Sequence, residues 1–387
     1  MDSRELRLLF VVASAVVFVD TMFYAAVVPL LPTLTHELHL SKASAGVLTA
    51  GYAAGTLIGS IPAGMLAAEA GPRNTIYTGL FLMGASSLAF GLVDNIVLLD
   101  AARFVQGVGG ACTWAGSLAW LIGEWPAERR GSAIGGALAA GIGGALFGPV
   151  IGTLAQAIGR APVFSAVVLV AGALAFAVAL LPAPSPQPPQ PGPRRLFAEL
   201  RRPGIALGMW LVTLPAIASG MINVLAPLRL SALGASAAGI GATFLIAAGA
   251  EALISPAVGD VSDRRGRMFP LRIGLAAAAA VLLCFTVSET VLVVAGVVVL
   301  AAVALGSFWA PAMAMLSDAA ESRGIGLGYA MALINLAWAS GQVIGAGGGG
   351  ALAKATGDGV PFAISAALCA GTLGLMLVRP VRAALPR

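Results

Sequence analysis

Asp20 and Glu251 lie deep inside apolar runs, where an ionised side chain is expensive and marks a site of use. Asp20 stands about 12 residues into a run that starts near Leu8, or about 18 Å at 1.5 Å per residue, close to the middle of a roughly 30 Å hydrocarbon core. Glu251, within GATFLIAAGAEALISPAVG, is similarly deep. A carboxyl group taken out of water holds its proton more readily, so each of these can gain or lose one according to the membrane face it meets. A cation competing with the proton for the same carboxylate then yields exchange of one against the other. The bland reading of either acid is a hydrogen-bonded strut to a neighbouring helix. Arg103 is the one basic residue inside an apolar run, at a cost of about 2.5 to 3.5 kcal/mol on insertion scales. It either takes part in proton coupling or braces neighbouring helices.

A binding cavity beside these acids needs apolar and aromatic walls. The candidates by depth are Tyr24, Trp114, Asn223, Phe308, Trp309, Met313, Asn335, Trp338 and Gln342, and the aromatic faces among them suit an organic cation through cation–π attraction. Asn335, Trp338 and Gln342 fall at i, i+3 and i+7, on one face of a helix.

The elements that must position these residues follow from composition. Of 387 residues 59% are hydrophobic and 10% charged, with mean hydropathy +0.94, against roughly 25% charge in a soluble domain. The bilayer is therefore the solvent, and continuous apolar runs of about 20 residues must be helices so that every backbone amide is paired within its own segment. A β-barrel is excluded because period-two alternation is missing. The 50 glycines suit close packing of membrane helices. Runs begin near Leu8, Ala43, Asn74, Ile96, Gly131, Ala161, Gly204, Ala237, Phe269, Val291, Gly324 and Val360, which predicts an all-α membrane protein of twelve spans.

Arginine placement orients them. With the N-terminus inside, Arg4, Arg7, Arg73, Arg129, Arg130, Arg194, Arg195, Arg201, Arg202, Arg264, Arg265, Arg267, Arg272, Arg323, Arg379, Arg382 and Arg387 are cytoplasmic. Only Lys42, Arg160, Arg229 and Lys354 are outside, so both termini are expected in the cytoplasm. The segment PAPSPQPPQPGPRR has the composition of an extended linker. It divides the chain into a bundle over 1–181, a cytoplasmic linker over 182–203 and a second bundle over 204–387. A weak repeat agrees: GMLAAEAGPR and GDVSDRRGRM each follow the second span of their half. Two related six-helix bundles suit alternating access.

Several other chemistries find no support. The net charge of +5 is spread in ones and twos over connections, so no nucleic-acid partner is expected. Cys112, Cys284 and Cys369 are expected to be buried free thiols. His36 and His39 lack further ligands, so neither a metal nor a cofactor is expected. No G-x-x-x-x-G-K-[ST] is present, and no ATPase or other enzyme is expected.

Four motifs carry a family resemblance. Gly259, Asp260, Asp263, Arg264, Gly266 and Arg267 fit G-x-x-x-D-R-x-G-R after the eighth span. Its counterpart after the second span keeps Gly64, Gly71 and Arg73, with Ala68 and Pro72 at two charged positions and Glu69 nearby. Arg103, Gln106 and Gly107 fit R-x-x-Q-G. Gly144, Gly148, Pro149 and Gly152 fit G-x-x-x-G-P-x-x-G in the fifth span, where the glycines make a flat face and the proline a bend. Over nearly its whole length the chain resembles the major facilitator superfamily, and within it the drug:proton antiporters with twelve spans. Asp20, Met22, Val27, Val28, Pro29 and Pro32 in the first span, with Asp318 at the end of the tenth, resemble the vesicular monoamine transporter branch. Asn335 stands where that branch has an aspartate and Ala226 where it has a glutamate.

The resemblance implies a cytoplasmic latch at the loop motif, a coupling role for Arg103, export through the fifth-span motif, and an amine partner for Asp20. The expectation is a secondary active exporter in which Asp20, Glu251 and Arg103 couple protons to the efflux of a lipophilic organic cation. A sugar, amino-acid or metabolite exporter of the same fold is the alternative, and a non-transporting receptor a remote one. The partners expected are a small-molecule substrate, protons and the lipid bilayer, with the chain a monomer in a bacterial inner membrane.

Overall fold

Each long apolar run forms a helix, and the boundaries fall where capping residues or glycines end it. The computed structural model describes residues 2–126, 129–185, 202–287, 289–323 and 327–378, with only the backbone of residues 130, 131, 263 and 327–329. Most of the expected linker and the arginines Arg194, Arg195, Arg201, Arg379, Arg382 and Arg387 lie outside the described residues. The helices are α1 (Ser3–Ala25), α2 (Val27–Glu37), α3 (Lys42–Glu69), α4 (Pro72–Leu92), α5 (Ile96–Glu124), α6 (Arg130–Ile158) and α7 (Arg160–Ala179). There follow α8 (Pro203–Ala232), α9 (Ala237–Arg265), α10 (Met268–Cys284), α11 (Val291–Glu321), α12 (Leu327–Gln342), a π-helical turn (Val343–Gly348), α13 (Gly349–Thr356) and α14 (Gly359–Val378). No strand occurs among the described residues.

The caps are read directly from side chains. Asp2 accepts from the backbone N–H groups of Arg4 and Glu5, while Glu5 accepts in return from the Asp2 N–H, a reciprocal cap at 2.8 Å throughout. The Glu5 N–H, opposed by some desolvation and aided by Arg4, holds the Asp2 carboxyl below its usual range. Asn95 caps α5, Ser236 caps α9 and Thr290 caps α11, each side chain accepting from backbone N–H groups of its first turn. Gly71, Gly159 and Gly266 take φ of +87°, +98° and +80° at sharp turns between spans, a conformation that costs other residues a Cβ clash.

Among the described residues, eleven helical segments are long and apolar enough to cross a membrane, with α1 and α2 forming one of them from Ser3 to Glu37. The expected ninth span is shorter: α10 has 17 residues, about 26 Å at 1.5 Å per residue. Large apolar residues such as Leu253 (82% exposed) and Leu292 (85%) face outward along these helices, the arrangement that lipid stabilises and water opposes. Cys112 and Cys369 are buried as expected, whereas Cys284 is exposed at the end of α10.

The chain forms two units, one of Met1–Leu30 with Gly51–Gly192 and the other of Leu31–Ala50 with Pro193–Arg387. Residues 31–50 thus group with the second unit, although the linker composition points to a division nearer residue 190. Two contacts explain it. Lys42 at the start of α3 ion-pairs with Asp358 at 2.5 Å. A Cβ on Gly46 would lie 3.3 Å from the Gly350 Cα and against the Ala346 carbonyl oxygen, so the two backbones meet with no side chain between them.

Within each unit a glycine triplet at four-residue spacing seats one helix against another. In the first unit, Cβ atoms on Gly144, Gly148 and Gly152 of α6 would collide with α1 and the start of α2 from Phe18 to Pro29; on Gly148 the Ala25 carbonyl carbon would be 2.9 Å away. In the second unit, Gly341, Gly345 and Gly349 meet α8, with a Cβ on Gly341 only 2.5 Å from the Thr213 carbonyl oxygen. The π turn lies within this second triplet, and Gly345 inside it abuts the Ile217 backbone. In lipid no hydrophobic force draws helices together, so backbone proximity of this kind supplies the dispersion that holds them.

Replacing Gly148 by leucine is expected to cost about 2 kcal/mol or more, since α1 must move aside, and to lower the unfolding midpoint in detergent. Gly172→Leu, where no atom lies within 4 Å of the added Cβ, is expected to leave the midpoint within a degree or two. Equal midpoints for the two variants would contradict the packing role of the triplet.

Candidate functional site

The first unit gathers its polar side chains around Asp20. Pro29 has no N–H and its ring crowds the carbonyl four residues back, so the first span breaks into α1 and α2 at Ala26. Asp20 and Tyr24 occupy the last turns of α1 before that break. On α5, Gly107 and Gly110 let α3 come close: a Cβ on Gly107 would be 2.7 Å from the Tyr52 carbonyl carbon, and one on Gly110 would be 2.9 Å from the Tyr52 Cζ and 3.1 Å from Asp20 Oδ2. Thr56 Oγ1 adds hydrogen bonds to the Tyr52 carbonyl at 3.0 Å and the Gly107 carbonyl at 3.2 Å.

Asp20 is wholly buried. The Tyr52 hydroxyl donates to its Oδ2 at 2.7 Å, and Oδ1 has no hydrogen-bond partner among the described residues. Trp114 stands near enough to act on the carboxylate, as does the charge of Arg103. Arg103 itself is 1% exposed. It donates through Nη1 to Gln106 Oε1 at 2.6 Å and through Nη2 to the Tyr24 carbonyl at 3.2 Å. Its guanidinium lies 5.8 Å from the Tyr24 ring and 5.3 Å from the Tyr52 ring, and the two rings are 4.6 Å apart. Both of these donations end on the protein, one of them on the last turn of α1. Gln156 of α6 likewise donates to the Pro29 carbonyl on the other side of the break.

Glu251 belongs to the second unit. It packs across α9 onto Gly306 of α11, where a Cβ would be 2.5 Å from the Glu251 Cγ and 2.9 Å from its Oε1. Glu251 is half-buried, and its carboxylate makes no ion pair or hydrogen bond among the described residues. Of the expected wall residues in this unit, Gln342 is buried and donates to Ser219 Oγ of α8 at 2.9 Å. Asn335 and Trp338 are half-buried on the same α12, and Asn223, Trp309 and Met313 are half-buried on α8 and α11. Phe308 is fully buried against Gly274 of α10, a packing position between two helices. Asp20, Tyr24, Arg103 and Trp114 are therefore brought together in one unit, while Glu251 and the α8, α11 and α12 residues belong to the other.

The loop motifs divide by unit as well. In the second, Arg267 ion-pairs with Asp318 at the end of α11 and Arg264 pairs with Asp260 one turn back on α9 at 2.9 Å. The side chain of Asp263 lies outside the described residues. In the first, a Cβ added to Gly64 would meet no atom of another element within 4 Å. Arg73 stacks 5.4 Å from the Trp120 ring and donates to the carbonyls of Leu181 and Pro182, the latter at 2.7 Å. A cation here is satisfied by the carbonyls that end the sixth span, consistent with the absence of the motif aspartate at Ala68. Near the other membrane face, Asp94 pairs with Arg160 at 2.5 Å.

Tyr52 is the main residue of the site that sequence reasoning missed. Its signal was available: it lies between Gly51 and Gly55, whose four-residue spacing marks the close-packed face of α3. Gln156, Ser219 and Gly306 were also missed, because a lone polar or glycine residue in an apolar run has no partner until the helices are packed.

The comparisons with known proteins agree with this architecture. The chain is 29% identical over 171 residues to the Bacillus subtilis protein called Multidrug resistance protein 2, a match covering 43% of each chain. It is 26% identical over 335 residues to the Synaptic vesicular amine transporter of Bos taurus, covering 84% of this chain and 64% of that one. The chain thus spans less than two thirds of the length of either relative. A solved structure described as a bacterial homologue of the human lysosomal transporter Spinster superposes with a TM-score of 0.79 at 14% identity, over 98% of this chain and 97% of that one. The model of the Major Facilitator Superfamily matches residues 13–328 and again 212–387, and the chain belongs to that superfamily of membrane transporters.

Proposed function

We propose that the chain exports lipophilic organic cations in exchange for protons, by alternating access from a bacterial inner membrane with both termini in the cytoplasm. The observation that carries this reading is the Asp20 carboxylate, wholly buried in a membrane helix with one of its two oxygens unbonded. Such an oxygen is an acceptor in search of a donor, and a proton and an ammonium group are the two donors that neutralise it. Aromatic side chains at Tyr24, Tyr52 and Trp114 border it and suit a cation. The names of the relatives, a multidrug resistance protein and an amine transporter, point the same way. Glu251 is the second proton carrier in this reading, its half-buried side chain packed against Gly306 with no ion pair among the described residues. The α6 glycine face supports the exchange by holding α1 rigid around Asp20. The functional unit is the monomer, divided at the linker of residues 182–203.

Arg103 acts in this proposal as a brace and not as a proton carrier, because its donations to Gln106 and Tyr24 span α5 and the broken end of α1. Its charge also offsets that of Asp20.

Replacing Asp20 by asparagine keeps the shape and removes the charge. Losing one charge-assisted hydrogen bond worth about 1.5 to 3 kcal/mol should weaken cation binding on the order of tenfold or more. In proteoliposomes carrying a pH-sensitive dye, cation-induced proton release is expected to disappear, and flux at the wild-type rate would sink the role of Asp20. Arg103→Lys retains a charge but cannot reproduce the planar pair of donations. It is expected to cost about 1 to 3 kcal/mol of stability while leaving the number of protons moved per cation unchanged. A changed ratio at unchanged stability would reassign Arg103 to coupling.

A further inference from the structure

The two oxygens of Asp20 are not equivalent, and their difference restricts which cations the site can read. Tyr52 donates to Oδ2 at 2.7 Å. The backbone of α5 closes the other side of the same oxygen, for a Cβ placed on Gly110 would lie 3.1 Å from Oδ2 and against the Tyr52 hydroxyl. Oδ2 therefore has its donor and little space for a second. Oδ1, equally buried, accepts no hydrogen bond from the described residues, with Trp114 the other side chain near enough to act on the carboxylate. Asp20, Tyr52 and Gly110 all belong to the first unit, so the cover over Oδ2 moves with the carboxylate when the transporter changes state.

We propose that Tyr52 is a positioning and specificity residue that makes Asp20 a one-point acceptor, so that the site selects protonated amines offering a single N–H and discriminates against fork-shaped amidinium and guanidinium cations. This rests on the reading of Asp20 as the cation-binding carboxylate. The physical reason is geometric. An ammonium N–H needs one lone pair and finds it on Oδ1. An amidinium gains its advantage by two parallel N–H donations to both oxygens of a carboxylate, and here the second is withheld: one N–H of the fork would be desolvated and left without an acceptor. The protein's own fork obeys the same restriction. The Arg103 guanidinium stands beside the site and donates to Gln106 and Tyr24.

The test uses the full chain in lipid nanodiscs and two cations of similar size, N,N-dimethylbenzylammonium and benzamidinium, with affinity measured by equilibrium binding at neutral pH. Wild type is expected to bind the dimethylammonium more tightly, on the order of tenfold, the effect of one charge-assisted hydrogen bond. Tyr52→Phe uncovers Oδ2 and is expected to shift the ratio toward benzamidinium by a similar factor, a change that a merely structural tyrosine would not produce because it would weaken both cations alike. A ratio unmoved by Tyr52→Phe, or equal wild-type affinities, overturns the proposal. Should Tyr52→Phe fail to reconstitute, the wild-type pair decides by itself. Asp20→Asn separates the two levels: loss of both cations upholds Asp20 as the binding group whatever Tyr52 does, and retention of both removes the underlying reading together with this one.

Discussion

Backbone-to-backbone contact through glycine is the constraint on which the rest of this protein depends. A chain dissolved in lipid cannot rely on the expulsion of water to join its helices, so it must gain packing where the helices can approach most closely. Gly144, Gly148 and Gly152 do this for α6 on α1, and Gly341, Gly345 and Gly349 for the α12 to α13 segment on α8. The same device on a smaller scale, Gly107 and Gly110 facing Tyr52, produces the candidate site. Any side chain at those positions would push α3 away and take the Tyr52 hydroxyl from Asp20. Close packing and chemistry are therefore one arrangement here.

The polar groups in the first unit settle around the break between α1 and α2. Prolines at 29 and 32 leave the helix short of internal hydrogen bonds, and side chains from two neighbouring helices answer at flanking carbonyls, Arg103 at Tyr24 and Gln156 at Pro29. This gives a buried arginine its purpose without a buried carboxylate as direct partner. Its charge is shared with a glutamine amide, a carbonyl and two aromatic faces, which lets Asp20 keep one oxygen uncommitted.

The two loop motifs show how the same motif position serves different ends with and without an acidic residue. Where the motif is intact, Arg267 pairs with Asp318 and Arg264 with Asp260. These pairs are partly exposed, so each contributes about 0 to 1 kcal/mol, and their value is in register more than in stability. Where Ala68 stands at the aspartate position of the motif, Arg73 is taken up by the last carbonyls of the sixth span and by Trp120.

Composition and run length determined the solvent, the helical class, the approximate start of every span and the superfamily, because these depend on hydropathy summed over about 20 residues and on short motifs local to one helix. Asp20, Glu251 and Arg103 were legible for the same reason, since a charge in hydrocarbon is conspicuous without knowledge of its neighbours. The glycine motif of the fifth span was legible as a packing face, but not the helix it meets. Only the tertiary structure decided that Tyr52 completes the Asp20 site, that Arg103 braces the end of α1, that Phe308 packs between helices, and that residues 31–50 group with the second unit. These are pairings between residues far apart in the chain, and a hydrogen bond of 2.7 Å or a glycine that admits a carbonyl has no trace in sequence until two backbones are set side by side.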